Sequence, residues 1–485
     1  MTRRQQIELA AWGLVAGLCL AFSLPPFGLW PLAILGYAIL TNRVADSTWL
    51  RGLILGAIAG VVMFAVNLAF VSQFTLLGAI VLVLLQALAI AVPSMLAATR
   101  HRGALVLAGG VVLTELLRTS VPFGGVGAAS MALGQVNGPF GQAGRIGGPL
   151  AILLAIALVG CGIGSFASKR PDHGRGILMA FSGVGLALAG TIAFNAGDAG
   201  APIAVTCVQG GGARGVPYAQ ANPQATTAHY LRTLASLRRL PYARSAVILP
   251  EDAITVDGRF EASAVAHQLS AEARRLSSTV FAGVRANVSA TAFDNLVVVF
   301  GPGGTYLGAY EKIHRVPFGE YVPLRSTLSQ LFSFSAIPQE AIPGKTPGIF
   351  ATPAGIVGVL TSYEAFYPDL GRAVVRGGAQ YVVIPTNTAS YRTDQVTNQE
   401  VAAAQVQAIS LNRTVVLCST VGRSAFVGPK GNLITTLPVS TAWAVAGVVV
   451  QRHGERTPFV DFGALLVVVL ASALVLGGVL GHLKR

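Results

Sequence analysis

The sequence is poor in charge, and poorest in lysine and acid. Only 11% of its 485 residues are charged, and lysine occurs just five times, as Lys169, Lys312, Lys345, Lys430 and Lys484. A soluble chain of this length with an ordinary solvated surface is excluded. The formal net charge of +14 would suit a nucleic-acid backbone, but such a patch needs clustered basic residues interleaved with aromatics. Here the basic residues sit at the ends of apolar runs, so nucleic acid is excluded as a partner. Cysteine is scarce too. Cys19, Cys161, Cys207 and Cys418 have no CxxC or other metal-ligand spacing, and two of them fall in apolar segments. Neither a metal site nor a disulfide is expected.

What is abundant is apolar. The chain is 53% hydrophobic with mean hydropathy +0.63. A bilayer core takes about 20 apolar residues as one helix. Segments of that kind, some shorter, lie near 8–23, 26–42, 52–72, 75–97, 103–118, 147–167, 177–195 and 462–482. Arg3 and Arg4 precede the first, but no small-x-small cleavage pattern follows, and Leu18 before Cys19 is too bulky for a lipoprotein signal. It reads as a retained helix. Charge alternates between loops. Arg43, Arg51, Arg100, Arg102, Lys169, Arg170 and Arg175 occupy one set, with Arg3 and Arg4 at one end and Lys484 and Arg485 at the other. The loops Leu24–Phe27 and Gln73–Thr75 carry none, and the fifth-to-sixth loop has only Arg118 and Arg145. The positive-inside rule puts both termini in the cytoplasm and residues of about 200–458 on the outer face of a bacterial inner membrane. Glu115 and Arg118 read as a structural ion pair, and Asn67 and Gln86 as groups bonding between helices. With no internal repeat and no chain of midplane ionisable groups, a transporter is excluded.

Residues 200–458 alternate between apolar β-branched runs and helical stretches. Strands are expected at 202–208, 246–249, 279–284, 295–300, 356–361, 381–384 and 414–418, and helices at 225–239, 260–276 and 395–412. Gly301-Pro-Gly-Gly304 and Gly428-Pro-Lys-Gly431 mark hairpins. A strand-rich α/β sandwich fits better than one doubly wound sheet.

Three residues at strand ends can do chemistry. Glu251 follows Val247-Ile-Leu-Pro250, where partial desolvation would raise its pKa and suit it to general-base work. Lys312 is a rare lysine in an arginine-rich chain, and a compact ammonium can stabilise an oxyanion and exchange a proton with a carboxylate. Glu320 follows a Pro-Phe-Gly turn that could return it to the same site. Ser362 ends the apolar run Gly355-Ile-Val-Gly-Val-Leu-Thr361, just before a helix opened by Pro368-Asp369. A strand, a sharp turn and a helix is how a nucleophile is presented.

Glutamate, lysine and nucleophile in this order resemble the nitrilase superfamily, and the whole chain resembles the apolipoprotein N-acyltransferases. The most specific match is Lys312-Ile-His-Arg-Val-Pro-Phe-Gly-Glu-Tyr-Val-Pro323. Val208-Gln209-Gly210, Pro250-Glu251, Tyr363-Glu364, Asn387, Arg413 and Gly422-Arg-Ser424 support it. The resemblance implies a multi-pass α-helical membrane domain (1–198), an extracytoplasmic αββα nitrilase-like domain (199–458) and a last membrane helix with a cytoplasmic tail (459–485). It implies transfer of an acyl chain from a phospholipid to the N-terminal amine of a diacylglyceryl-cysteine lipoprotein, with no cofactor and no metal. Glu251 would be general base, Lys312 the oxyanion stabiliser and Ser362 the acyl carrier. Glu320, Glu364 and Asn387 would support the site, and the Tyr363 N–H would be a second oxyanion donor. Residues 324–338 would be an apolar arm over the mouth.

The family carries cysteine where this chain has Ser362. Gln407 and Ser410 stand where arginine and glutamate are usual, and Thr388 replaces an aspartate. Two further readings therefore stay open: a catalytically weak or inactive paralogue that binds lipid or lipoprotein, and a membrane-tethered amidase.

Overall fold

The computed structural model describes residues 2–45, 47–98, 100, 102–166, 168, 172–192, 199–215, 222–239, 244–335, 337–440, 442–452 and 455–480. Lys169, Arg170, Lys484 and Arg485, used above to orient the chain, lie outside these. The chain divides into two compact units, Met1–Asn195 with Thr457–Arg485, and Ala196–Arg456.

The first unit opens with seven helices: α1 (Arg3–Phe22), α2 (Pro31–Val44), α3 (Trp49–Asn67), α4 (Leu76–Ala98), α5 (Gly103–Arg118), α6 (Gly144–Phe166) and α7 (His173–Ile192). Among the described residues, α1, α3, α4, α6 and α7 are long and apolar enough to cross a membrane. The expected spans at 26–42 and 103–118 form shorter helices of 14 and 16 residues. Lipid offers helices no hydrophobic reason to associate, so close backbone approach must do it. Gly56 and Gly60 of α3 provide that against α4: a Cβ at Gly60 would stand 2.7 Å from the Ala87 carbonyl. Several buried polar groups find partners within the unit. Arg118 donates from Nε to Glu115 at 2.6 Å and from Nη1 to Gln86 at 3.1 Å. Asn67 reaches the Ala21 carbonyl on α1.

The second unit is a sandwich of two sheets. One contains β1 (Ala199–Gln209), β2 (Ser245–Asp257), β3 (Thr279–Asn287), β4 (Ala292–Phe300), β5 (Tyr306–Glu311), β6 (Glu340–Ala341) and β13 (Trp443–Arg452). Its order is β13-β1-β2-β3-β4-β5, with β6 beside β4. The other is β12-β11-β10-β9-β8-β7, from β7 (Gly348–Thr352), β8 (Gly355–Val359), β9 (Tyr381–Thr386), β10 (Thr414–Ser419), β11 (Ala425–Val427) and β12 (Leu433–Thr436). The central pairs β1–β2, β2–β3, β8–β9 and β9–β10 are parallel. Parallel neighbours need crossovers, and the helices between them are α8 (Pro223–Ser236), α9 (Ala264–Leu276), α11 (Pro368–Arg376) and α12 (Gln395–Leu411); the one-turn α10 (Arg325–Leu328) lies in the arm. Strand alternation sorts the side chains: Ile203, Val205, Cys207, Ile248 and Phe281 meet Val357, Val359, Tyr381, Val383 and Val416 between the sheets. Val247, Leu249, Val280 and Ala282 point outward under α8 and α9 with Tyr230, Leu234 and Leu269. The chain then returns to the first unit through α13 (Pro458–Phe462) and α14 (Leu465–Leu480), a 16-residue apolar helix.

The expectation of no disulfide is overturned. Cys207 on β1 and Cys418 on β10 are bonded across the sandwich, with Cα atoms 5.6 Å apart and a sequence separation of 211. The pairing follows from β1 and β10 facing each other, which no local spacing reveals. Cys19 and Cys161 are free and buried.

Candidate active site

Glu251 owes its position to an irregularity in β2. Between Leu249 and Ile254 the strand uses five steps where β3, from Ala282 to Val284, uses two. The extra backbone bulges, and Asp252 takes a left-handed φ of 55°; bulges re-aim side chains in this way. Gly283 opposite makes the room, since a Cβ there would lie 2.6 Å from the Glu251 Cα. Glu251 is 4% exposed.

Lys312 follows directly on β5 and is 1% exposed. Its ammonium sits between two carboxylates, 3.0 Å from Glu251 Oε1 and 2.7 Å from Glu320 Oε1. Asn295 on β4 ties the same two together, donating to Glu251 at 2.9 Å and to Glu320 at 3.1 Å. The Pro-Phe-Gly turn does return Glu320 to the lysine, and the Val316 N–H holds its other oxygen at 2.7 Å. Burial alone would lower the Lys312 pKa, but Glu251 and then Glu320 hold it well above the usual lysine range. For Glu251 burial prevails: it lifts the carboxyl to about 7 against the pull of Lys312, with Asp252 and Glu320 adding repulsion. The centre thus holds a permanent cation beside a carboxyl poised near neutrality.

Ser362 follows β8 after two residues. Here the chain leaves the sheet and enters a single 3₁₀ turn, Ser362–Phe366, ahead of α11. Ser362 adopts φ 49°, a conformation unusual for a residue with a side chain and found where a nucleophile is held on a sharp strand-to-helix turn. Glu364 fixes this turn to the lysine segment. One of its oxygens accepts from the N–H groups of Ile313 and His314 at 2.9 and 2.8 Å, the other from the Thr361 N–H at 2.8 Å, and Tyr310 donates its hydroxyl to both. Burial raises the Glu364 pKa, and the His314 N–H leads the groups that oppose this. A second tie is aromatic: His314 stacks on Tyr367 at 3.7 Å, with Tyr363 edge-on to Tyr367.

The hydroxyl of Ser362 does not bond to Glu251 or Lys312 among the described residues. It meets Thr386 Oγ1 at 3.2 Å, and Thr386 lies 3.0 Å from both oxygens of Glu400 on α12. Burial lifts Glu400 to about 8; hydrogen bonds from Thr386 and Ser362 pull it down, and Glu251 and Lys312 act on it through space. Sequence reasoning missed Glu400, Thr386 and Asn295. The available signal was a lone acid in an alanine- and glutamine-rich helix that is buried from Val396 to Leu411.

Asn387 serves the backbone and its neighbours, donating to Asp252 at 3.1 Å and accepting from Ala389 N–H and the Thr420 hydroxyl. Gln407 donates to the Ala365 carbonyl at 3.1 Å, bracing the nucleophile turn. Arg413 is buried on the carbonyls of Ala379 and Asn412. In the arm, Leu324, Leu331 and Phe332 are exposed, and Phe318 and Phe334 approach at 6.4 Å. Among the described residues no group of three or more acid, histidine or cysteine side chains has a metal-holding arrangement.

A buried glutamate–lysine pair lies on a two-sheet α/β sandwich beside a strand-to-helix turn that holds Ser362 at a left-handed φ, and residues 214–452 match the carbon-nitrogen hydrolase family. Residues 16–162 match the apolipoprotein N-acyltransferase N-terminal domain. An apolipoprotein N-acyltransferase of Azotobacter vinelandii is 28% identical over 95% of this chain and 93% of its own length. That of Mycolicibacterium smegmatis is 27% identical over 70% of this chain, and the match spans only 61% of that relative. Saccharomyces cerevisiae Nit3, a nitrilase-superfamily member, matches 53% of this chain and 92% of its own at 19% identity and TM-score 0.39. Along nearly its whole length the chain is similar to the apolipoprotein N-acyltransferases.

Proposed function

We propose that the protein is an N-acyltransferase that moves an acyl chain from a phospholipid to the free amine of a diacylglyceryl-cysteine lipoprotein, through an ester on Ser362. The observation that carries this reading is the joining of the Ser362 turn to the Lys312 segment through Glu364. That brace ties the turn that carries the hydroxyl to the segment that carries a buried cation able to stabilise an acyl oxyanion. Glu320 and Asn295 orient Lys312, and Glu251, poised near neutrality, trades protons with the leaving and entering groups. The exposed apolar side chains of the 324–338 arm suit contact with acyl tails.

The reading places the α/β unit on the outer face of the inner membrane. Arginines on alternate loops support it, as does the Cys207–Cys418 disulfide, a bond that persists in oxidising compartments and rarely in the cytosol.

Purified protein in vesicles of diacyl phospholipid should gain the mass of one acyl chain on Ser362, and a diacylglyceryl-cysteine peptide should remove it as its N-acyl derivative. Protein that binds the lipid and never gains the adduct would favour the second reading, a binding paralogue, to which the hydroxyl in place of a thiol points.

A further inference from the structure

The structure assigns to Glu400, acting through Thr386, the role of proton acceptor for Ser362. Three observations carry this. Ser362 is hydrogen-bonded by Thr386, which also reaches Glu400, whereas Glu251 is engaged by Lys312 and Asn295. The Thr386 hydroxyl has one proton and two acceptors. It lies within donating reach of both Ser362 Oγ at 3.2 Å and the Glu400 carboxylate at 3.0 Å, and its single proton serves one at a time; while it serves Glu400, a rotation of the Ser362 hydroxyl lets the Thr386 oxygen take the serine proton. Glu400 is 3% exposed and makes no ion pair among the described residues, and the Thr386 hydroxyl it holds leads on to Ser362. The ionisable groups acting on it are Glu251 on β2, Lys312 after β5 and Tyr391 in the loop before α12.

A thiol ionises near neutrality, but a serine hydroxyl does not, so its proton must leave as the new bond forms, to a base already linked to it by hydrogen bonds. Resting on the acyl-transfer reading, the cycle balances with two carboxyls. In acylation Ser362 Oγ bonds to the ester carbonyl carbon and its proton passes to Glu400. The carbon–oxygen bond to the lysophospholipid breaks, and the departing oxygen takes a proton from Glu251. In transfer the amine nitrogen bonds to the acyl carbon and gives a proton to Glu251. The acyl–Oγ bond then breaks, and Oγ recovers its proton from Glu400. Both carboxyls return to their starting states, and nothing is oxidised or reduced.

An alkyl fluorophosphonate, which labels activated serines whatever their natural substrate, tests the assignment on the full-length protein in detergent. We expect labelling at Ser362, with a rate that rises with pH as Glu400 ionises, around a midpoint of about 8. Glu400→Gln should slow labelling at least 100-fold and remove the pH rise. Thr386→Val should slow it at least 10-fold. Glu400→Asp and Thr386→Ser, which keep the charge and the hydroxyl, should retain the pH rise and so separate this role from a role in folding. Labelling of Glu400→Gln at the wild-type rate and pH profile, or no labelling of the wild type, would overturn the assignment. Glu400-dependent labelling with no acyl adduct from phospholipid vesicles would uphold it and defeat the acyl-transfer reading instead.

Discussion

Glu364 offers the sharpest test of how the site is held together, because a single-atom change should unfasten it. Glu364→Gln keeps size and shape but turns one acceptor oxygen into a donor. The three backbone N–H groups that reach this side chain can only donate: Ile313 and His314 to one oxygen, Thr361 to the other. The glutamine does best by aiming its carbonyl at Ile313 and His314 and letting the amide donate to the Tyr310 hydroxyl. That leaves the Thr361 N–H facing another donor. An orphaned buried donor costs about 1–3 kcal/mol, and two bonds weakened from charged to neutral cost about 1 kcal/mol each, so the brace should lose roughly 3–5 kcal/mol. At about 1.4 kcal/mol per decade this is a fall in protection of roughly 100- to 4,000-fold. Hydrogen exchange measured amide by amide should show the fall at Thr361 first and at Ile313 and His314 next, with β3 and β4 unchanged. Protection at Thr361 equal to wild type would refute the argument, because it would mean that Glu364 is already protonated or that the turn holds without it.

Three further outcomes follow from the same geometry. Lys312→Met strands Glu251 and Glu320 without their cation; losing one partner of a buried pair costs about 3–5 kcal/mol, so thermal melts should fall and the acyl adduct should vanish. Cys207→Ala should cost about 2–5 kcal/mol, and the denatured, unreduced variant should take up maleimide on Cys19, Cys161 and Cys418 where the wild type takes it up on Cys19 and Cys161. The pH dependence of stability has a definite sign. Glu251 and Glu400 have folded pKa values raised to about 7 and about 8, so their contribution is fully present below the ordinary glutamate value and is lost as pH rises through the raised ones. The wild type should therefore melt lower at pH 9 than at pH 6, and Glu400→Gln should lose less over that range.

The parts of this molecule legible in the sequence are those whose signal is local. Apolar β-branched runs gave the strands at 246–249, 279–284, 381–384 and 414–418 nearly in place, because both faces of each are covered and the pattern is unbroken. Ser362 stood out because the run before it stops abruptly. What escaped depends on residues far apart in the chain. The Cys207–Cys418 bond needs the two sheets to face each other, and the partnership of Ser362 with Thr386 and Glu400 needs β8, β9 and α12 to converge. Asn295 is hidden in an otherwise apolar strand, and its use is visible only once Glu251 and Glu320 lie on either side of Lys312. The short strands Ala425–Val427 and Leu433–Thr436 escaped for a plainer reason: three or four residues carry too little periodicity.

The substitution at the nucleophile connects these points. A thiol with pKa near 8.5 supplies its own thiolate and needs little from a neighbouring base, whereas a hydroxyl depends on one throughout. If Glu400 serves the serine, its importance must fall when the serine is replaced by a thiol, and a double-mutant cycle reads this directly. Glu400→Gln alone should slow acyl-adduct formation at least 100-fold. Ser362→Cys alone should speed it, since a thiolate attacks without waiting for proton transfer. In the Ser362→Cys background, Glu400→Gln should cost less than 10-fold, leaving a coupling of at least 10-fold, or about 1.4 kcal/mol. Equal losses in both backgrounds would make Glu400 a support for the fold of the pocket. A larger loss with cysteine would mean that the carboxylate serves the departing lysophospholipid oxygen, and that the proton of Ser362 leaves by another route.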